Sequence, residues 1–170
     1  IRAEDGLVAE RLGYWLWELL DTRMELLPGV EETLDTLENH GAKSIVVSGS
    51  QGWFVRKYLP RLGIEDRFLG IVTAEDVPSG RGKPNAEIFH IAAERLRAPY
   101  DKCVVIGDNS NDIDGANAAG MKSVLVPCPL FPNEVKGATI TLPTLKEFNS
   151  NVISTLEGNS FGKERYSGLY

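Results

Sequence analysis

The chain reads as an α/β protein, a Rossmann-like three-layer fold in which a parallel sheet carries helices on both faces. Three observations predict this. Short β-branched apolar runs alternate with segments of helical periodicity almost throughout the sequence. The runs at 44–47 and 102–106 are bounded by turn residues and are too short for helices, as strands buried on both faces are. Several runs lead into loops rich in Gly, Ser, Asn and Asp, and in open sheets of this kind ligands bind at the carboxyl ends of the strands.

The elements follow in order. Leu7, Val8, Leu12, Trp15, Leu16, Leu19 and Leu20 recur at helical spacing, which predicts an amphipathic helix over 7–26. Leu27-Pro28-Gly29-Val30 breaks it. A second helix, 31–39, places Leu34 and Leu37 on one face and ends at His40-Gly41 as a C-cap would. A strand at 44–47 leads through Ser48-Gly49-Ser50 into a helix over 51–62 that Gly63 closes. A strand over 68–73, a polar loop over 75–85 and a helix over 86–96 come next. The strand at 102–106 opens into the loop 107–111, then a helix over 112–119 that Gly120 ends. A strand at 122–126, a weak one at 139–142 and a helical turn at 143–148 follow. Residues 157–170 show no periodicity and read as a loose tail or extended arm.

Length and composition fit one domain: 170 residues, 42% hydrophobic and 25% charged, enough to bury a core. The formal charge of −6 argues against nucleic acid or an anionic membrane surface as the main partner. No apolar stretch reaches membrane-spanning length, and the start of the sequence lacks a cationic-then-apolar signal pattern. A start at Ile1 instead of Met is the mark of a processed, trimmed or partial chain. Cys103 and Cys128 form no CxxC pair, so neither a disulfide framework nor a zinc site is expected. Cys103, inside an apolar run, reads as a small buried hydrophobe. A reducing setting is expected, cytoplasm or an organelle matrix or stroma.

Three clusters carry chemistry. Val104-Val105-Ile106-Gly107-Asp108-Asn109-Ser110-Asn111-Asp112 delivers two carboxylates, four apart, from an apolar strand into one loop. Unpaired burial would be costly, and a hard cation such as Mg²⁺ is a natural partner. The ordinary structural alternative makes Asp112 a helix N-cap and leaves Asp108 in solvent. Val46-Val47-Ser48-Gly49-Ser50 sets a hydroxyl after a strand, with a glycine that would admit an anion to backbone N–H groups. Taken alone it is equally a plain Ser/Gly turn. Gly80-Arg81-Gly82-Lys83-Pro84 presents a point charge able to neutralise phosphate or carboxylate, or simply a solvated loop lysine.

Taken in chain order (the hydroxyl of Ser48 after its strand, then Gly82-Lys83-Pro84, then Gly107-Asp108 with Asp112), the clusters resemble the second, third and fourth motifs of the haloacid dehalogenase-like (HAD-like) hydrolases, and most closely the phosphoglycolate-phosphatase and β-phosphoglucomutase-like branch. Leu27-Pro28-Gly29-Val30-Glu31, Arg61-Leu62-Gly63-Ile64 with Phe68, Glu87-Ile88-Phe89 after Lys83-Pro84, and Ala116, Ala119, Gly120 and Met121 agree with the flanks; Asn85-Ala86-Glu87 departs from the usual residues. The resemblance covers about residues 27–148. It implies Mg²⁺-dependent phosphomonoester hydrolysis, with phosphomutase transfer as a variant, on a phosphorylated small molecule. Ser48 and Gly49 would bind the phosphoryl group, Lys83 would steady phosphate and nucleophile, Asp108 would bind Mg²⁺, and Asp112 would ligate it through water or orient the site.

The family's first motif, Asp-x-Asp-Gly-Thr-Leu after the first strand, supplies the nucleophile and the acid/base. The 27 residues before Pro28 are too few for that strand, the motif and a full cap, so the fold is expected to be incomplete at its N-terminus. Ala3-Glu4-Asp5-Gly6-Leu7-Val8 is a conceivable remnant with Asp5 in the acid/base place and Ala3 replacing the nucleophile. More simply, 1–26 is the last cap helix or a linker, 27–150 the core, and 151–170 a C-terminal tail. Two functional readings follow: part of a conventional hydrolase, or a catalytically inactive relative serving as a structural or interaction subunit. In the second, a protein partner would cover the exposed strand edges.

Overall fold

The computed structural model describes residues 24–128 and 134–158. The helix expected over 7–23, the Asp5 segment and the tail 159–170 lie outside the described residues. Residues 24–27 have no regular structure, so the expected helix does not extend to 26.

Among the described residues, five α-helices and five strands build the fold: α1 (Val30–Asn39), β1 (Val46–Val47), α2 (Gly52–Arg61), β2 (Ile71–Val72), α3 (Ala86–Leu96), β3 (Val104–Gly107), α4 (Ser110–Ala118), β4 (Lys122–Leu125), β5 (Ile140–Thr141) and α5 (Ser150–Leu156). The pairings among these strands are parallel, and among the described residues the strands form two sheets, β1–β2 and β3–β4–β5. The strands are shorter than the apolar runs because the ladder covers only the residues that find a neighbouring strand.

Helices cover both faces. On one, α3 and α4 bury Ile88, Phe89, Ala92, Ala93 and Ala116 against Val72, with Val47 and Val105 packed alongside, so a single apolar cluster spans both sheets. On the other, α1 and α2 cover β1–β2 through Leu34, Val55 and Leu59. There α5 covers β4–β5 through Val152, Ile153 and Leu156 around Val124 and Leu142, and Leu37 of α1 packs there too. Each buried Leu, Ile or Phe contributes about 1.5–3 kcal/mol, so these clusters outweigh any single polar contact.

Local chemistry sets the helix ends. The side chains of Asn85, Asn109 and Asn149 cap α3, α4 and α5 by accepting from Glu87, Asn111 and Asn151 backbone N–H groups. Gly29 begins α1 at φ 95, and a Cβ there would lie 2.4 Å from the backbone nitrogen of Lys146. Both the left-handed backbone and the close approach require glycine. Residues 151–156, assigned to the C-terminal tail, belong to α5, and their Val152, Ile153 and Leu156 are packed into the core. Fully buried Ser123 exchanges hydrogen bonds with Thr139, each backbone N–H donating to the other's hydroxyl, which ties the weak β5 segment to β4.

The outer edge of β2 is blunted by a side chain. Arg95 of α3 donates to the Ile71 carbonyl and pairs with Asp76, and Asp76 closes a capping box with Thr73. The Thr73 backbone N–H and then the Arg95 guanidinium hold the Asp76 carboxyl below its ordinary value. A depressed carboxyl stabilises the fold above its unfolded-state value and loses that contribution as pH falls through the folded value. The stability gap between wild type and Asp76→Asn should therefore be full at pH 7 and shrink below about pH 3.9. Urea midpoints across a pH series measure it, and a gap that did not narrow in acid would contradict this account.

Candidate functional site

The site forms where the carboxyl ends of β1 and β3 meet the loop before α3. At the end of β3, the Asn109 side chain caps α4, accepting from Asn111 N at 2.9 Å and Asp112 N at 3.4 Å. The helix begins at Ser110, so the role of helix cap, weighed for Asp112, falls to Asn109. Asp112 instead turns inward from the first turn, and its side chain is 7% exposed.

A buried carboxylate needs partners, and Asp112 has two. Its Oδ1 accepts from Lys83 Nζ at 2.7 Å, and its Oδ2 from the Asp108 backbone N–H at 3.3 Å. Gly107 makes this geometry possible. A Cβ on Gly107 would stand 2.3 Å from Asp112 Cβ and 2.6 Å from its carboxyl carbon, so any side chain would push Asp112 away.

Lys83 reaches the site from the polar loop between β2 and α3, where the Lys83–Pro84 peptide is cis. Its ammonium donates to the Val47 carbonyl at 2.7 Å as well as to Asp112, and it lies 5.8 Å from the centroid of the Phe89 ring. Phe89 is itself seated against Gly115, where a Cβ would meet its ring at 2.2 Å. One cation thus ties the end of β1 to the first turn of α4. Among the described residues its third proton has no partner.

The expected site residues hold different positions within this frame. Ser48 follows Val47 directly, and its hydroxyl accepts from Ser50 N at 3.1 Å, tightening the turn after β1. Gly49 is exposed, with open space where a Cβ would be. Asp108 is exposed, and its carboxylate accepts from Asn109 Nδ2 at 2.8 Å. Lys83 and Asp112 are in direct contact, Ser48 is joined to them through Val47, and Asp108 stands open beside Asp112. Asp5 lies outside the described residues.

Motif reading did not identify Glu75. It accepts from Gly52 N at 2.8 Å and from Arg56 at 3.3 Å, holding the start of α2 and so the far end of the Ser48–Ser50 turn. The Thr-x-x-Asp pattern at Thr73–Asp76 was the available signal that this segment forms a capped turn.

The donors at the end of β3 are hard oxygens, which suits a divalent cation such as Mg²⁺ better than a soft-ligand metal. Among the described residues no three His, Cys, Asp or Glu side chains converge on one point. With Asp112 engaged by Lys83, Asp108 is the carboxylate that faces outward.

Residues 3–126 match the family model of haloacid dehalogenase-like hydrolases. The chain is 33% identical over 122 residues to phosphoglycolate phosphatase of Xanthomonas campestris, covering 72% of this chain and 54% of the relative. It is 31% identical over 129 residues to ribulose-1,5-bisphosphate 5-phosphatase of Halopiger xanaduensis, covering 75% and 52%. Among solved structures, β-phosphoglucomutase of Clostridium difficile superposes with a TM-score of 0.77 at 26% identity, covering 93% of this chain and 69% of the other. The chain spans about half the length of the curated relatives it matches.

Gly107→Ala should detach Asp112 from Lys83 and destabilise the protein by about 1–3 kcal/mol, the cost of overpacking a close contact. Gly49→Ala, which meets open space, should cost under about 0.5 kcal/mol. Urea unfolding of both variants checks the contrast, and equal losses would contradict it.

Proposed function

Because the chain belongs to the haloacid dehalogenase-like hydrolases, in the branch of phosphoglycolate phosphatases and β-phosphoglucomutases, we propose that the loops after β1 and β3 form the phosphate-binding half of a phosphomonoesterase site. The observation that carries this reading is Lys83. It is a nearly buried cation placed between the ends of two strands, with one donor still unpartnered among the described residues.

The residues divide the work by position. Ser48 would donate its hydroxyl proton to a phosphoryl oxygen, since its lone pair is already engaged by Ser50 N. Gly49 leaves room for the anion to approach the backbone. Lys83 would direct its third proton at the phosphoryl group or at the attacking carboxylate. Asp112 fixes Lys83 and the Asp108 backbone, so it acts by orienting them. Asp108 would hold Mg²⁺, which when bound neutralises charge on phosphoryl oxygens and helps orient the ester. These are positioning and electrostatic roles, which make up most of what phosphoryl transfer demands.

The attacking carboxylate is a separate matter. Asp112-Ile113-Asp114-Gly115 has the spacing of an Asp-x-Asp-Gly motif, but it lies inside α4, with Ile113 fully buried and Asp112 bound to Lys83. No other Asp-x-Asp occurs among residues 24–158. That observation favours a second reading, a core that keeps phosphate binding and has no turnover of its own.

Binding of inorganic phosphate, measured by calorimetry with and without Mg²⁺, tests the site directly. Lys83→Met should weaken it by about 10- to 100-fold, the worth of a charge-assisted hydrogen bond. Asp108→Asn should abolish the Mg²⁺ dependence alone. Phosphate affinity unaffected by Lys83→Met would refute the proposal. Turnover of a generic phosphomonoester by this chain, lost on Asp108→Asn, would eliminate the second reading.

A further inference from the structure

We propose that Glu75 is a specificity-determining residue, a built-in anion that closes the start of α2 to a second phosphate and restricts the site to monophosphate esters. The proposal rests on the reading of the Ser48–Ser50 turn as part of a phosphate site.

A helix begins with backbone N–H groups that have no acceptor inside the helix, and together they favour an anion. In α2 the N-cap residue is Gln51, whose side chain makes no capping bond. The cap comes instead from a distant loop. Glu75 Oε1 accepts from Gly52 N at 2.8 Å, and its Oε2 accepts from Arg56 Nη2, one turn further along α2, at 3.3 Å. One carboxylate thus takes both the N–H and the guanidinium that would otherwise face an incoming anion. Gly52 is fitted to this occupant. A Cβ there would lie 2.7 Å from Glu75 Oε2 and closer still to the Arg56 guanidinium. Gly52 is helical, so its missing side chain provides space and not backbone freedom.

Glu75 is also held from behind. Its N–H donates to the Thr73 hydroxyl at 3.3 Å, the Thr73 N–H donates to Asp76 Oδ2 at 2.8 Å, and Asp76 pairs with Arg95 of α3. Thr73 itself is fully buried. The carboxylate is therefore in place before any ligand arrives. The Arg56 and Glu75 side chains are 59% and 50% exposed, so an anion can reach them. An ion pair this open adds little stability, and its consequence is the charge it presents at the helix start.

Position makes that charge matter. Gly52 follows Ser48 by four residues, at most about 14 Å of extended chain, and the bond from Ser50 N to the Ser48 hydroxyl shortens the path. With one phosphoryl group at Ser48 and Lys83, a second phosphate on a short substrate comes within reach of the start of α2. There it meets the Glu75 carboxylate, and the cation that could receive it is already neutralised. Discrimination arises from a like charge set against the wrong ligand. The favoured class is a small phosphomonoester that carries no second phosphate.

The test is calorimetry on the 170-residue chain at low ionic strength with Mg²⁺. The probes are propylphosphonate, pentylphosphonate and their α,ω-bisphosphonates, whose C–P bonds phosphomonoester hydrolysis does not cleave. On the wild type, each bisphosphonate should bind no more than about twofold tighter than its monophosphonate, the statistical advantage of two equivalent ends. Glu75→Gln keeps an acceptor for Gly52 N and removes the charge. It should raise the ratio of bisphosphonate to monophosphonate affinity by about fivefold or more, as relief of a like-charge contact in a half-exposed site would. Using the ratio cancels any change the substitution makes in the turn itself. Arg56→Met added to Glu75→Gln should remove the gain. A wild-type preference for either bisphosphonate beyond the statistical factor, a smaller rise on Glu75→Gln, or a gain that survives Arg56→Met would overturn the proposal. A wild type that binds no phosphonate and no inorganic phosphate would overturn the phosphate-site reading and this proposal together. Phosphate binding with an unmoved ratio would overturn this proposal alone.

Discussion

The ammonium of Lys83 is the contact on which the rest of the site depends. Among the described residues β1 and β3 are not hydrogen-bonded neighbours, and the polar link across their carboxyl ends is Lys83, shared between the Val47 carbonyl and the Asp112 carboxylate. Everything else in the site is arranged to let that bridge form. Gly107 has no side chain because Asp112 occupies the space. Asn109 takes over the capping of α4, which frees Asp112 to turn inward. Phe89 packs beneath the lysine and is itself admitted by Gly115.

The bridge is mechanically sensible because the two half-sheets are otherwise joined through helices. The apolar cluster under α3 and α4 spans both halves, and α1 reaches both on the opposite face. Helix packing sets how far apart β1 and β3 stand, and Lys83 fixes the alignment of their ends. The ends of β1 and β3 are thus linked through one side chain. Ser48 follows Val47 in the chain, and the Asp108 backbone N–H donates to Asp112, so a shift of Val47 or Asp112 would move them.

Much of this was legible in the sequence where pattern and structure share a cause. The apolar spacing of 86–96 places α3 at its observed bounds, and the structure adds the Asn85 cap that fixes its start. The glycines at 41, 63 and 120 end helices in left-handed backbone, as expected. The α4 start was ambiguous because Asn109-Ser110-Asn111-Asp112 offers four residues of cap type in a row, and only the three-dimensional pull of Lys83 decides among them. α5 escaped notice because Ser150, Asn151, Ser154 and Thr155 are weak helix formers. Its helix is held by Asn149 and by the burial of Val152, Ile153 and Leu156. The site's residue types were readable, but the Val47 carbonyl was not, since a backbone acceptor leaves no mark in sequence.

The most direct test of the bridge is a double-mutant cycle of Lys83→Met and Asp112→Asn, read as unfolding free energy in urea. If Lys83 and Asp112 act as a buried unit, the double variant will be more stable than the sum of the singles predicts, with a coupling of about 1–3 kcal/mol. Additivity within about 0.5 kcal/mol would contradict the account, because it would mean the two side chains contribute independently.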